Sequence, residues 1–529
     1  MLTGETVLEK GRVKQMGMTM KRMGTLDASW LAVESDDTPM HVGNMQIFSL
    51  PEGAGDTFLR DMLARMKADF KVAPPWCNKL AHPSLLGRVV APGWVVDEQI
   101  DLDYHVRHSA LPSPGSEREL GILVSRLHSN PLDFKRPLWE CHIIEGLENN
   151  RFALYTKMHH CVIDGISGVR LLQRVLTTDP SETNMLPPWS VRPERTRGSK
   201  TDREPSMPAA FSQALDALKL QADMAPRLAS ALTRVVKSVR HPENGLTAPF
   251  SGPNSVLNRR VTGQRRFATQ HYQLSRLKKL SKNSGSSLND IVLYLCGTAL
   301  RRFLIEQNNL PDEPLTAGIP VNIRPADDTG TGTAISFMIA NLATDVADPM
   351  SRLEAIRYST VQAKEHLQKL PRAALNQYTM LLMSPYILQL MSGLGGRMRP
   401  VFNVTISNVP GPEQALYYEG AKLEAMYPVS LIAHGGALNI TCLSYDGSLN
   451  FGFTGCRDTL PSMQKLAVYT GEALEELEVL LNGGATASRR SAMKRTPVKA
   501  APRKRSVRAI KAIKGVGGSA NGSVGKRGK

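Results

Sequence analysis

The chain has 529 residues, of which 42% are apolar and 21% are charged. These values are ordinary for a globular protein with large cores, and they exclude a small disulfide-stabilised scaffold and a wholly disordered chain. The six cysteines are scattered without a CxxC pair, which predicts reduced thiols in a cytoplasmic protein rather than a zinc site. The net charge of +17 lies mostly in residues 485–529, whose 14 Lys and Arg and absent acids leave +3 for the remainder.

Strands and helices alternate along the first third of the chain. Residues 26–30 have the pattern of a capped turn into a short helix, and residues 45–50 alternate like a strand. Two predicted strands, 137–146 and 152–159, flank Asn149-Asn150, a dipeptide typical of a turn. The same periodicities predict helices at 56–72, 116–130 and 167–176.

The rest of the chain has the same mixture. Residues 186–208 have the Pro-, Ser- and Arg-rich composition of a linker, and a helix interrupted at Pro226 is predicted over 211–239. Strands are predicted at 267–273, 315–322, 402–407, 429–434, 438–444 and 449–454, and helices at 274–281, 288–307 and 461–481. The interleaving predicts an α/β (α+β) fold.

The composition also predicts four regions. They are an N-terminal half (1–185), a linker with crossover helices (186–260), a C-terminal half (261–484) and a disordered basic tail (485–529).

Two adjacent histidines, His159 and His160, follow a predicted strand and precede an Asp164-Gly165 turn. Neighbouring strand residues face opposite sides, so one histidine faces a cleft while the other packs inside. A neutral histidine accepts a hydroxyl proton at pH 7, and a glycine lets the chain turn where a side chain would clash. Residue types alone leave two alternatives open, structural histidines and a metal site.

The segment His159–Gly165 matches the HHxxxDG motif of the CoA-dependent acyltransferase superfamily, which includes chloramphenicol acetyltransferases and peptide-synthetase condensation domains. More specific segments resemble the bacterial wax ester synthase/diacylglycerol acyltransferase family. They are 26–30 with 38–43, Pro137-Leu138-Trp139, Asn289-Asp290, 320–324 and 407–412. The resemblance runs from about residue 23 to 481 in the family's order. It implies two chloramphenicol-acetyltransferase-like halves that flank a substrate tunnel.

The resemblance implies transfer from acyl-CoA to diacylglycerol or a long-chain alcohol, with His160 as the general base. His159 is expected to support His160 or to share its acid–base work. The Asp164 carboxylate can hold the turn by pairing with a cation or by bonding backbone donors. A structural ion pair, with Arg324 as the candidate partner, is favoured over a proton relay. Acyl-CoA is then a substrate, so no separate cofactor and no metal are expected.

Other positions of the resemblance keep two interpretations each. Asn289 either donates an amide hydrogen bond to the developing oxyanion or caps a helix, and Asp290 favours that helix N-terminus. Pro137, Leu138 and Trp139 are expected to support the site, with Trp139 either in the core or stacked on substrate. Cys161 lies inside the motif, but direct transfer needs no covalent intermediate.

The basic tail suggests a partner. Anionic lipid, nucleic acid bound without specificity, or no partner at all are compatible with its composition. The start of the chain has no secretory pattern and no apolar stretch reaches the ~20 residues of a membrane span. We therefore expect peripheral association with the inner membrane face or lipid bodies.

Two further functions remain open. One is an inactive or weakly active protein that binds acyl-CoA or lipid. The other is a condensation-type enzyme that uses carrier-bound acyl groups, against which no adjacent carrier domain is present.

Overall fold

The computed structural model describes residues 20–68, 71–192, 246–322, 335–370 and 372–482. Within these ranges the α-helices are α1 (Thr25–Val33), α2 (Phe58–Lys67), α3 (Leu85–Val90), α4 (Leu102–His105), α5 (Glu117–Ser129), α6 (Gly165–Gln173), α7 (Leu274–Ser284), α8 (Leu288–Glu306), α9 (Pro349–Gln368), α10 (Arg372–Met391) and α11 (Lys465–Asn482).

The strands are β1 (Lys21–Arg22), β2 (His41–Ser49), β3 (Asn78–Leu80), β4 (Gly93–Val96), β5 (Val106–Ala110), β6 (Trp139–Leu147), β7 (Arg151–His159), β8 (Arg265–Gln273), β9 (Thr316–Asn322), β10 (Ile335–Asn341), β11 (Val404–Val409), β12 (Tyr417–Tyr418), β13 (Ala421–Val429), β14 (Leu438–Tyr445) and β15 (Ser448–Cys456).

Two six-stranded sheets organise these elements. One has the order β12-β13-β2-β7-β6-β5 and the other β10-β9-β11-β14-β15-β8, and a three-stranded sheet has the order β1-β4-β3. The predicted mixed α/β fold is confirmed. The predicted hairpin is also confirmed, since β6 and β7 pair antiparallel and both Asn149 and Asn150 have the positive φ that such a turn favours.

Helix α5 shows why several elements could be predicted closely. Ser116 accepts a hydrogen bond from the first turn, and Glu119 accepts one from the Ser116 backbone N–H at 3.1 Å, which completes a capping box. Leu120, Leu123 and Val124 then form the face buried against the sheet.

The strand predicted at 429–434 is wrong. The strand is β13, which ends at Val429 where the predicted one begins. Its sequence misleads because Pro428 cannot donate to a ladder and therefore argues against a strand at that position. Pairing with β2, in which Pro428 lies opposite Asn44, stabilises the strand where its local β-propensity does not.

The four predicted regions stay a prediction, although strand pairing crosses from one predicted half into the other. Strands β12 and β13 belong by sequence to the C-terminal half but complete the N-terminal sheet through β2. Trp189 lies in the predicted linker, yet it is fully buried with its ring 5.6 Å from that of Trp139. The described residues up to Leu481 therefore form one compact unit. The predicted helix at 211–239 and the basic tail lie outside the described residues.

Candidate active site

The two histidines lie at the end of β7, where strand alternation separates them. Thr156, Met158 and His160 line a cavity of about 460 Å³, whereas Lys157 and His159 point to the other side and are fully buried. Both six-stranded sheets contribute to the cavity wall, and helix α6 contributes Val169 and Leu172 among others. One histidine thus faces a cleft between the sheets, as the sequence predicts.

Burial holds the His160 ring in its neutral form. Its backbone N–H donates to the Met40 carbonyl at 2.8 Å, and its ring centroid is 4.2 Å from that of Trp30. Burial lowers the pKa of His160 to about 4, although the nearby Asp164 carboxylate raises it. Its Nδ1 is buried without a hydrogen-bond partner among the described residues. The imidazole is therefore free to accept a proton at neutral pH.

His159 has both ring nitrogens occupied. Nδ1 accepts from the Cys161 backbone N–H at 3.1 Å, and Nε2 contacts a carboxylate oxygen of Glu34. That carboxylate also accepts from the Met40 backbone N–H at 3.1 Å. Since the Met40 carbonyl accepts from His160, Glu34 orders the backbone beneath both histidines. This geometry gives His159 a supporting position rather than a place on the cavity wall.

Glu34 is a residue that the sequence interpretation missed. It directly follows α1, and its side chain is only 4% exposed. A single acidic residue 125 positions before its partner carries no local pattern, so only the folded arrangement identifies it.

The Pro137-Leu138-Trp139 segment supports the histidines from the adjacent strand. The Leu138 carbonyl accepts from the His159 backbone N–H at 3.0 Å. Trp139 is buried, donates from Nε1 to the Trp76 carbonyl at 2.7 Å and stacks on His105. Of the two interpretations of Trp139, the structure therefore shows the core position.

Asp164 begins helix α6 as its N-cap. Its carboxylate accepts from the Ser167 backbone N–H and from the Ser167 hydroxyl, both at 2.8 Å. It also lines the cavity. The predicted partner Arg324 lies outside the described residues, so the ion pair stays a prediction.

The backbone at position 165 does not require a glycine, contrary to the sequence interpretation. A Cβ added there would meet no atom within 4 Å among the described residues, and its φ is not in the left-handed region. Gly165 lines the cavity beside Asp164. The missing side chain therefore leaves space in the cavity instead of permitting a turn.

Replacing Gly165 by alanine is expected to preserve folding and impair catalysis. The unfolding free energy should stay the same or rise, because alanine favours the helix by up to about 1 kcal/mol. The new methyl group should raise KM or lower kcat by narrowing the cavity. Thermal unfolding and steady-state kinetics measure the two effects. The control is Gly285→Ala, which lies at a helix end with positive φ and outside the cavity lining. It should show the opposite pattern, with lower stability. Normal kinetics in Gly165→Ala would contradict the role.

Asn289 and Asp290 lie at the N-terminus of α8, but the N-cap is Ser287 rather than Asn289. The Asp290 carboxylate accepts from the Ser287 backbone N–H at 2.8 Å and from the Thr360 hydroxyl at 2.6 Å. Asn289 is not among the described residues that line the cavity. The predicted oxyanion contact of Asn289 stays a prediction, whereas Asp290 supports the helix.

Asn44 is a second residue that the sequence interpretation missed. It lines the cavity from β2, opposite Thr156, and is 4% exposed. Both polar atoms of its amide lack a hydrogen-bond partner among the described residues. Leaving such a group unpaired costs about 1–3 kcal/mol, which a polar group of a ligand would recover.

Cys161 is unsuited to nucleophilic attack. Burial and the nearby Glu34 and Asp27 carboxylates raise the pKa of its thiol well above the usual value. All six cysteines are free and buried. No group of three or more His, Cys, Asp or Glu in the described part of the chain could hold a metal ion.

Two mixed sheets around a cavity lined by His160 define a two-half fold that condensation domains share. Similarity to the first condensation domain of the calcium-dependent antibiotic synthetase shows the same fold, with a TM-score of 0.50 at 14% identity over 88% of this chain and 98% of that one.

The comparisons then specify the family. The sequence model of the wax ester synthase/diacylglycerol acyltransferase catalytic domain matches residues 23–292, and that of the family's C-terminal domain matches residues 331–478. The chain belongs to the wax ester synthase/diacylglycerol acyltransferase family, and it is an acyltransferase.

Individual relatives span almost the whole fold. A Mycobacterium tuberculosis H37Rv protein with the provisional name diacylglycerol O-acyltransferase is 46% identical over 87% of this chain and 98% of its own. The O-acyltransferase WSD of Acinetobacter baylyi is 39% identical over 87% and 97%. The solved wax ester synthase/diacylglycerol acyltransferase of Marinobacter aquaeolei VT8 is 35% identical, with a TM-score of 0.70 over 88% and 100%.

Proposed function

We propose that this acyltransferase moves a long-chain acyl group from acyl-CoA to the hydroxyl of diacylglycerol or a long-chain alcohol, with His160 as general base. The observation that carries the proposal is the neutral His160 ring on the wall of the cavity between the two sheets. The names of the Mycobacterium and Acinetobacter relatives support transfer to an oxygen acceptor.

The reaction is a direct transfer. His160 takes the hydroxyl proton as the acceptor oxygen attacks the thioester carbonyl carbon, and a tetrahedral oxyanion forms. The C–S bond then breaks, the ester is released, and the imidazolium returns its proton to the CoA thiolate. Placing both substrates in one cavity supplies the entropic part of the rate enhancement.

The pH dependence follows from the low pKa of His160. A base is active when deprotonated, so kcat/KM should be independent of His160 protonation near pH 7 and should fall only as pH drops through about 4. A pH profile of kcat/KM with a soluble acceptor measures this, with folding followed at each pH by circular dichroism. An acid limb near pH 6.5 in folded protein would contradict the buried position of the base.

The acceptor and donor are tested by a substrate panel. One long-chain acyl-CoA is offered with diacylglycerol, with a long-chain alcohol and with neither, and products are separated by lipid class. The proposal expects triacylglycerol, wax ester or both. Activity only with a carrier-protein thioester would instead indicate a condensation-type enzyme, and binding of acyl-CoA without product would indicate an inactive lipid-binding protein.

The basic tail is proposed to attract the protein to anionic lipid. Its 14 cations lie outside the residues matched to the family, so removing residues 485–529 should leave turnover on soluble substrates intact. Vesicle binding should weaken, because each cation near an anionic membrane contributes about 1 kcal/mol. Co-sedimentation with anionic vesicles at low and moderate salt checks this for both forms. Equal binding would contradict the tail's role, and an inactive truncated enzyme would place the tail in the fold.

A further inference from the structure

Helix α3 exposes its aliphatic side chains to solvent and turns its one charged side chain inward, which is the reverse of an ordinary surface helix. Its four aliphatic side chains face outward, with exposed fractions of 67% for Leu85, 74% for Leu86, 54% for Val89 and 71% for Val90. Arg88 instead points inward, with its guanidinium 3.8 Å from the Phe134 ring centroid. An exposed aliphatic surface on a chain of this size marks an interaction site rather than a core face.

Helix α10 carries a second exposed apolar face. Its outward chains include Leu388, 67% exposed, and Met391, 51% exposed. Both α3 and α10 pack against α1. Helix α1 carries Trp30, whose ring centroid lies 4.2 Å from that of His160. The two apolar faces thus adjoin the helix that contacts the proposed base.

The charges around these helices favour lipid over protein. No acidic residue occurs between Asp69 and Asp97, which includes α3, or between Glu365 and Glu413, which includes α10. Strand β1 holds the exposed cations Lys21 and Arg22 and pairs with β4, directly after α3. Exposed aliphatic chains beside these cations, on two helices that carry no acidic residue themselves, match the acyl chains and anionic headgroups of a phospholipid surface.

No helix among the described residues is long and apolar enough to span a membrane. We propose that the exposed faces of α3 and α10 form a lipid-docking surface, which inserts into the headgroup region of an anionic phospholipid bilayer and holds the active site over the lipid that contains its acceptor. The assignment of the acceptor rests on the proposed function, whereas the docking itself does not.

The test compares full-length variants on phosphatidylcholine/phosphatidylglycerol vesicles that contain diacylglycerol. Leu86→Gln/Val90→Gln removes the two most exposed chains of α3. Val479→Gln/Leu480→Gln, on the exposed face of α11, is the matched control. Binding is measured by flotation in ~1 M NaCl, where the Debye length is about 3 Å and the basic tail contributes little.

The α3 variant should bind the vesicles at least about ten-fold more weakly, because its aliphatic chains no longer enter an apolar phase. Its turnover should fall similarly on vesicle diacylglycerol and stay unchanged on a water-dispersed alcohol. The α11 control should match the wild type in vesicle binding and in turnover on both acceptors. Unchanged vesicle binding of the α3 variant would overturn the proposal. A dimer formed by the wild type and lost only in the α3 variant would overturn it as well, because the face would then bind a second copy of the chain. A wild type that binds vesicles but transfers to no acceptor would overturn the proposed function alone.

Discussion

Replacing His160 by alanine should lower kcat at least about a hundred-fold while the protein stays folded. The ring lines the cavity, its centroid lies 4.2 Å from that of Trp30, and its Nδ1 has no hydrogen-bond partner among the described residues. Its removal therefore takes away the proton acceptor without breaking a buried side-chain pair. Steady-state kinetics with acyl-CoA and a soluble acceptor, together with a thermal unfolding curve, measure the two effects separately.

The matched control is His108→Ala. His108 is a half-exposed histidine whose Nε2 lies 3.2 Å from Glu145 at the outer strand β5, away from the cavity lining. It should retain wild-type kinetics. Near-normal turnover in folded His160→Ala would show that another group accepts the proton.

Glu34→Ala should unfold at a much lower temperature and lose activity with it. The substitution leaves the His159 Nε2 and the Met40 backbone N–H without their buried acceptor. Breaking a buried pair in this way costs about 3–5 kcal/mol. Because Met40 also anchors His160, the residual folded fraction should have a lower kcat rather than a higher KM. Denaturant unfolding and kinetics at low temperature measure both.

Glu34→Gln is the conservative comparison. Its amide oxygen keeps one acceptor in place, so it should recover most of the stability lost in Glu34→Ala. If Glu34→Ala were as stable and as active as the wild type, the support assigned to the Glu34–His159 pair would be wrong.

The sequence predicted those elements whose local signals agree with their final environment. Helix α5 has a capping box and an amphipathic face, and the β6–β7 hairpin has an Asn149-Asn150 turn, so both were located within about two residues. The predicted position of strand β13 is displaced because the strand is ordered by its pairing with β2, which is almost 380 residues earlier in the chain. Long-range pairing of this kind leaves no local pattern.

The site divides in the same way. His159, His160 and Asp164 could be identified because they lie within one short motif, and strand alternation correctly assigned one histidine to the cleft. Glu34 and Asn44 were missed because each acts across the fold, on a partner or a cavity that the sequence does not place nearby. Gly165 was assigned to the turn because glycine usually serves the backbone, whereas here the space beyond its Cα belongs to the cavity.

Direct transfer in one cavity is most directly tested by following CoA thiol release together with ester formation, with and without acceptor, in the purified full-length protein. The mechanism predicts one ester for each thiol released and no thiol release when acyl-CoA is offered alone. A stoichiometric burst of thiol without acceptor would instead reveal an acyl-enzyme and contradict His160 acting as base on the acceptor hydroxyl.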